Sequence, residues 1–382
     1  MEFRDLKRQY EELHIAIDQS IAEAISSAQF ISGREVAILE QQLADYVGTK
    51  HCITCGNGTD AISIALMAWG IGTGDAVFVP DFTFFSSGEC PAALGATPIF
   101  VDVKKDTYNM DADMLENAIK QVLQDASLKP KAVIAVDLFG LPADYDAIRP
   151  ICEKYKLLLL EDGAQGFGGE LHGKKACSFG DISITSFFPA KPLGCYGDGG
   201  AIFTDNDRWA ELIRSIAVHG KNAEDKYDNI RLGMNSRLDT LQAAILIPKL
   251  EAFKNYECDR VNETARVYTK LLVNVSGVTV PVIPDSYYSS WAQYTIKLES
   301  YIDRDTVRNK MCEAGIPTMV YYARPMHTQQ AFAGTKSAES NCPITQELCN
   351  SVLCLPIHPY ITGEECVRVI NTLKNMISVS EK

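Results

Sequence analysis

No apolar run in this 382-residue sequence approaches the roughly 20 residues needed to cross a bilayer, so a membrane-spanning helix is not expected. The opening MEFRDLKRQYEEL lacks the basic, apolar, small-residue order of a secretory signal, and the expected location is cytoplasmic. Positive charge is also short: 36 Lys and Arg against 49 Asp and Glu leave a formal net charge of −13 and a pI near 5.0. Without a concentrated basic stripe, nucleic acid is not an expected partner, and any anionic ligand must be held by local groups. The 12 cysteines include no second pair at zinc-like spacing. Cys52 and Cys55 form a CxxC (CITC) inside what reads as a buried strand, so packed, reduced thiols are expected in place of a disulfide framework, redox centre or metal site. Repeats, low-complexity tracts and long polar linkers are missing too. The small, polar stretch AGTKSAESNCP at 333–343 is the best candidate for a mobile loop.

The length suits two or three structural units. Seven short apolar runs recur between helical patterns: HCITC (51–55), AVFVP (76–80), PIFVD (98–102), AVIAVD (132–137), LLLLED (157–162), ISITSF (182–187) and GAIFT (200–204). Such alternation predicts an α/β fold with a mostly parallel sheet covered on both faces. The helix DADMLENAIKQVL opens with acids that suit a positive N-terminus. From LIPKLEAFKNYECDRVNETARVYTKLL the pattern becomes a long helix, then WAQYTIKLES, VRNKMCEAGIPTMVYY and a final helix near 362–378. The expectation is a large α/β domain over 1–250 and a small α+β domain over 251–382, with the first 20 or so residues packing on the small one.

GNGTDA at 56–61 follows a strand and opens a helix. It fits the G-x-G-x-x-A form of a dinucleotide fingerprint with Asp75 and Asp81 about 20 residues on, so an NAD-dependent oxidoreductase is one reading. Physically the motif supports something narrower: small residues admit a ligand to the backbone, and the helix start behind Gly58 and Thr59 favours an anion such as phosphate.

KLLLLEDGAQGFGG places Glu161 and Asp162 at the C-terminal end of a buried strand, where open α/β sheets bind ligands. A carboxylate in a desolvated crevice needs a cationic or donor partner, and a protonated pyridine nitrogen would serve. Beyond the sixth run, SITSFFPAKPLGCYGDGGA sets Ser186 and Lys191 at the same edge, with Gly194, Gly197, Gly199 and Gly200 keeping the next segment free of bulk. A lysine among Phe187, Phe188 and Tyr196 has its proton affinity lowered, which suits condensation with an aldehyde. A phosphate cradle, a strand-end Asp and a crevice Lys together describe a pyridoxal phosphate site.

At these residues the sequence resembles the DegT/DnrJ/EryC1/StrS sugar aminotransferases, within the fold-type I pyridoxal phosphate enzymes. The match runs from FRDLKRQY through SGREVAILEQQLADYVGTKHCITCGNGTDAI to NSRLDTLQAAIL and YYARPMHTQQAF. The resemblance implies that Lys191 carries the cofactor as a Schiff base and shuttles the proton, while Asp162 pairs with the pyridine nitrogen. By the same resemblance Gln165 lies near the cofactor's 3-hydroxyl, Phe84 stacks on the ring, and Gly58, Thr59 and Ser186 bind the phosphate. Asn235 would reach the phosphate from a neighbouring subunit, which implies a homodimer with shared sites. Family members take the amino group of L-glutamate, releasing 2-oxoglutarate, and pass it through pyridoxamine phosphate to a ketone on a nucleotide-linked sugar.

The run FFPAKPLGCYGDGGA looks most like the branch that aminates C-3 of UDP-linked 2-acetamido-3-keto sugars of the glucuronic acid type, made for surface polysaccharide such as the O-antigen of lipopolysaccharide. Tyr321 and Tyr322 stand where those uronate enzymes carry a His-Tyr pair, which keeps a neutral or C-4 keto sugar, UDP- or dTDP-linked, as the alternative. Arg237 is the candidate for a sugar carboxylate or diphosphate, since a guanidinium fork fits both. Tyr321, Tyr322 and His327 are placed near the sugar nucleotide by resemblance. Dehydratases built on this scaffold have a histidine where this chain has Lys191, which favours transamination.

Overall fold

The computed structural model describes residues 1–222, 224–225 and 227–380. All seven apolar runs are strands of one sheet: β1 (His51–Cys55), β2 (Asp75–Pro80), β3 (Thr97–Val101), β4 (Lys129–Val136), β5 (Leu158–Asp162), β6 (Ile182–Ser186) and β7 (Gly200–Thr204). Their order is β1-β7-β6-β5-β4-β2-β3. Six strands run parallel, and β7 lies antiparallel to both its neighbours. Successive strand residues face opposite sides, so Leu160 joins the core on one face with Ile53, Val77 and Ile202, and Leu159 the core on the other with Phe78 and Val133. Cys52 and Cys55, three apart, fall on opposite faces for the same reason and are both buried.

Helices cover the two faces: α1 (Leu6–Ser27), α2 (Arg34–Val47), α3 (Gly58–Ala68), α4 (Ser86–Ala93), α5 (Ala112–Asp125), α6 (Tyr145–Tyr155) and α7 (Asp207–Ile216). In α5, Asp111 accepts the N–H groups of Asp113 and Met114 at 2.8 and 3.2 Å, and Leu115, Ile119 and Val122 form the buried stripe. Next, α8 (Thr240–Ala252) continues through a π-type turn at Phe253–Glu257 into α9 (Cys258–Leu272). This one helical run leads from the large sheet to a second unit with its own core, where Tyr268, Tyr294, Leu353 and Leu373 meet. That unit holds a three-stranded sheet, β8 (Val278–Thr279), β9 (Tyr294–Leu298) and β10 (Val352–Leu355), with α10 (Arg304–Glu313) and α12 (Gly363–Ser380), while α11 (Pro343–Ser351) sends Leu348 and Cys349 into the core of the large sheet.

The first helix bridges the two units and does not pack on the second alone. It lies along α8, Gln9 Nε2 donates to Glu257 Oε1 at 2.8 Å, and Arg8 forms a two-pronged pair with Glu365 of α12 at 2.8 Å on each branch. The stretch 333–343, expected to be mobile, is held against β3: Phe100 N donates to Ser340 Oγ at 3.1 Å, and Cys342 is buried.

Candidate active site

Because β5 and β6 are parallel neighbours, their C-terminal ends carry Asp162 and Ser186 to one edge of the sheet. Reversal of β7 adds a third piece there. Its first residue, Gly200, pairs with both Cys55 and Ser186, so the GNG turn and Ser186 flank the same glycine. The site sits where these ends meet.

Glu161 and Asp162 part company, as consecutive strand residues must. Glu161 is buried, where it accepts from Ser183 Oγ at 2.7 Å and Phe179 N at 2.6 Å, a structural carboxylate with its lone pairs taken. Asp162 is 4% exposed and accepts from Ser87 Oγ at 2.8 Å and Ala164 N at 3.2 Å. Burial pushes the Asp162 carboxyl above its ordinary pKa, while those two donors and the charge of Lys191 hold it down. An acid so placed gains from a cation arriving in the crevice.

Lys191 lies five residues beyond β6 in a turn, its backbone N–H held by Phe188 O at 2.8 Å. Desolvation lowers its ammonium pKa, opposed by Asp162 and reinforced by Arg4. Nζ forms no hydrogen bond or ion pair among the described residues. An amine of lowered proton affinity with no hydrogen-bond partner is suited to attack a carbonyl.

The start of α3 supplies the anion cradle. Asn57 caps it by accepting Asp60 N at 2.8 Å, leaving the N–H groups of Gly58 and Thr59 at the positive end. A side chain at Gly58 would come within 2.8 Å of Ser186 Cβ, and one at Gly200 within 2.7 Å of the Asn57 carbonyl. Both glycines are therefore needed for the closeness itself. Asp75 and Asp81 take no part in this pocket: Asp75 accepts Gly72 N at 3.0 Å, and Asp81 is buried against His327. Asp75 opens β2, away from the C-terminal strand ends, and Asp81 is committed to His327, which removes the support for a dinucleotide.

Gln165 spans the crevice wall, accepting Phe139 N at 2.9 Å and donating through Nε2 to the Tyr322 hydroxyl at 3.0 Å. Phe84 stands 53% exposed with its ring 6.4 Å from that of Tyr322. A phenyl group left so open beside a polar crevice is available for stacking.

Three of the expected residues make their contacts with groups other than Lys191 and Asp162. Asn235 is exposed and accepts from Arg237 at 2.6 Å. Arg237 lines a separate groove of about 320 Å³ with Ser32, Glu40 and Arg214. Ser236 between them points the other way, its Oγ accepting Gly56 N at 2.9 Å. His327 is committed to Asp81: its backbone N–H donates to Oδ1 at 2.8 Å, Nδ1 lies 2.7 Å from Oδ2, and Cys342 Sγ sits within 4.8 Å. It clamps the end of β2 to the turn at 326–328.

Two residues at the site carried no sequence signal. Ser87, the strongest partner of Asp162, sits in an ordinary run of serines. Arg4 lies in a charged opening segment, yet its guanidinium donates to Pro192 O at 3.1 Å, one residue from Lys191.

These residues fit one group. The buried Asp162 calls for a cation, the Gly58–Ser186 cradle for a phosphate, and Lys191 for an aldehyde; pyridoxal phosphate carries all three on one ring. Fold and site together define a pyridoxal phosphate-dependent aminotransferase of fold type I. The chain belongs to the DegT/DnrJ/EryC1/StrS aminotransferase family, whose sequence model matches residues 12–374. It is 45% identical to the UDP-2-acetamido-2-deoxy-3-oxo-D-glucuronate aminotransferase of Pseudomonas aeruginosa, over 94% of this chain and 96% of that one. A DegT DnrJ EryC1 StrS aminotransferase from Brucella abortus has the same structure at a TM-score of 0.95 and 42% identity, covering 99% of each chain. The structure of ntda from Bacillus subtilis, with bound cofactor PMP, matches at a TM-score of 0.87 and 31% identity, over 96% of this chain and 82% of that one. The cofactor is thus pyridoxal phosphate, with pyridoxamine phosphate as its amino form. No helix among the described residues is long and apolar enough to cross a membrane.

Proposed function

We propose that this enzyme moves the amino group of L-glutamate to the C-3 ketone of a UDP-linked 2-acetamido-3-keto sugar of the glucuronic acid type, a precursor of surface polysaccharide. The observation that carries the reading is the meeting of unpaired Lys191, buried Asp162 and the Gly58–Ser186 cradle at one sheet edge. The relative from Pseudomonas aeruginosa, whose name specifies such a sugar, supports the choice of substrate.

When bound, pyridoxal phosphate supplies a ring that draws electrons from the carbon losing its proton. Asp162 holds a proton on the ring nitrogen and keeps that pull strong. Lys191 Nζ, whose proton affinity burial lowers, takes the proton from one carbon and returns it to the next. Gly58, Thr59 and Ser186 anchor the phosphate, Phe84 packs on the ring, and Gln165 orients its 3-hydroxyl side while fixing Tyr322. Asn235 and Arg237 act on the partner's site in a homodimer, Asn235 at the phosphate and Arg237 at the sugar's diphosphate or carboxylate. The exposure of Asn235 in a single chain, with half-buried Arg237 donating to it, supports this. Tyr321 and Tyr322 border the sugar, and His327 contributes by clamping their segment to β2.

Incubation with L-glutamate and a panel of UDP- and dTDP-linked 3-keto and 4-keto sugars, with mass detection of the new amine, tests the proposal. Amination of the 3-keto uronate is the expected result. Preference for a neutral or 4-keto sugar would replace the substrate, and absence of any amine would remove the function.

A further inference from the structure

Arg4 is a half-buried cation with no ion-pair partner in contact among the described residues. Of the five N–H groups in its guanidinium, the structure commits one, from Nη2 to Pro192 O at 3.1 Å, and Arg4 forms no ion pair among the described residues. Glu257, the carboxylate whose charge acts on Arg4, has its Oε1 taken by Gln9 Nε2 and by the Tyr360 hydroxyl at 2.8 and 2.5 Å. Burial pushes Arg4 down to about 10, with Glu257 and Tyr360 opposing, so it stays charged near neutrality. A charge held this way is costly until something pairs with it.

Its position says what that something is. Pro192 follows Lys191, and the positive charge of Arg4 reaches the lysine ammonium and disfavours it. Phe3, the preceding residue, packs edge-on against Tyr321 at 6.3 Å, so the opening segment touches both the Lys191 turn and the Tyr321–Tyr322 pair. An amino donor that reacts at Lys191 carries a carboxylate one carbon from the nitrogen it gives up, and a uronic acid sugar carries another at C-6. A planar guanidinium matches either geometry. Arg237, the other candidate for such a group, lies in a different groove and is bonded to Asn235.

Resting on the aminotransferase reading above, we propose that Arg4 forms a carboxylate-binding subsite beside Lys191, supplied by the chain's own opening segment. It recognises the carboxylate of the amino donor or of the sugar, and the two sources separate experimentally.

The test uses pyridoxal-loaded wild-type, Arg4→Gln and Arg4→Lys enzymes and measures equilibrium binding by calorimetry. The probes are 2-oxoglutarate, which cannot react with the pyridoxal form, UDP-glucuronate, and UDP-glucose, which carries the same diphosphate but no sugar carboxylate. A donor subsite predicts that Arg4→Gln weakens 2-oxoglutarate about 10- to 100-fold and leaves both UDP-sugars unchanged, the range expected for a charge-assisted hydrogen bond. A sugar subsite predicts the same loss for UDP-glucuronate and none for UDP-glucose. Arg4→Lys recovers part of the affinity, since it keeps the charge and loses the fork. Equal weakening of all three probes would make Arg4 a tether for the Lys191 turn and overturn the proposal, as would no change in any. The yellow absorbance of the bound cofactor is read in every sample. If wild type lacks it, the aminotransferase reading has failed; if every variant keeps it, only the role of Arg4 is being judged.

Discussion

At the scale of single residues, the site depends on how a buried acid is kept ionised. Asp162 is pushed towards its neutral form by burial and restrained by Ser87, Ala164 and Lys191. Removing the Ser87 hydroxyl takes away its strongest donor and raises the carboxyl pKa further. Ser87→Ala is therefore expected to move the acid limb of the kcat/KM profile to higher pH and to lower activity below it, with activity approaching wild type on the alkaline side. An unmoved limb would detach Ser87 from the chemistry. On the proposed function, Lys191→Ala loses both the covalent anchor and the proton carrier. It should remain folded by circular dichroism yet show no yellow band, with amino transfer reduced by at least about 10²- to 10⁴-fold, the usual worth of a positioned acid–base group. Lys191 and Asp162 are legible in the sequence because an amine and an acid at strand ends are chemically conspicuous. Ser87 and Arg4 are not, since a serine among serines and an arginine among charges acquire meaning only from what the fold sets beside them.

Among the elements, the seven strands are legible for a physical reason. Strands covered on both faces are nearly all apolar, so each announces itself without knowledge of its partners. Their order and the reversal of β7 depend on pairing across more than 100 residues, as between Cys55 and Gly200, and no local pattern encodes that. The same closeness makes a sharp prediction at the start of α3. Gly58→Ala places a methyl group 2.8 Å from Ser186 Cβ, so cofactor affinity should fall at least about tenfold while the chain stays folded, read by titrating pyridoxal phosphate into the stripped protein. The Asp81–His327 clamp gives an element-scale effect with a definite sign. Asp81 raises the imidazolium above its ordinary value near 6.5. The pair's contribution is therefore complete below about pH 6.5 and is lost as pH rises through the raised, folded value. His327→Gln should lower the thermal midpoint by about 2 °C in mildly acidic buffer, a difference that shrinks as the buffer becomes alkaline. A constant difference across that range would mean the histidine acts by packing alone.

For the whole molecule, the central expectation is that two chains build each site. Asn235 and Arg237 bond to each other and not to Lys191, and Ile230 and Leu232, in the loop before them, are 52% and 89% exposed, a pair of neighbouring apolar side chains of the kind that an interface covers. Mixing inactive Lys191→Ala with an inactive Asn235→Ala, Arg237→Ala double variant, then allowing subunit exchange, should restore roughly one quarter of wild-type activity, because half the dimers are mixed and each holds one intact site. No recovery would place both residues at the site of their own chain. The cysteines offer an independent way to see the assembly. Ten of the 12 thiols are buried, Cys258 is half-buried, and Cys312 on α10 is exposed. A brief treatment with a thiol-specific spin label would therefore decorate each chain at one point without further engineering, and a two-fold pair of chains would report a single narrow separation between labels.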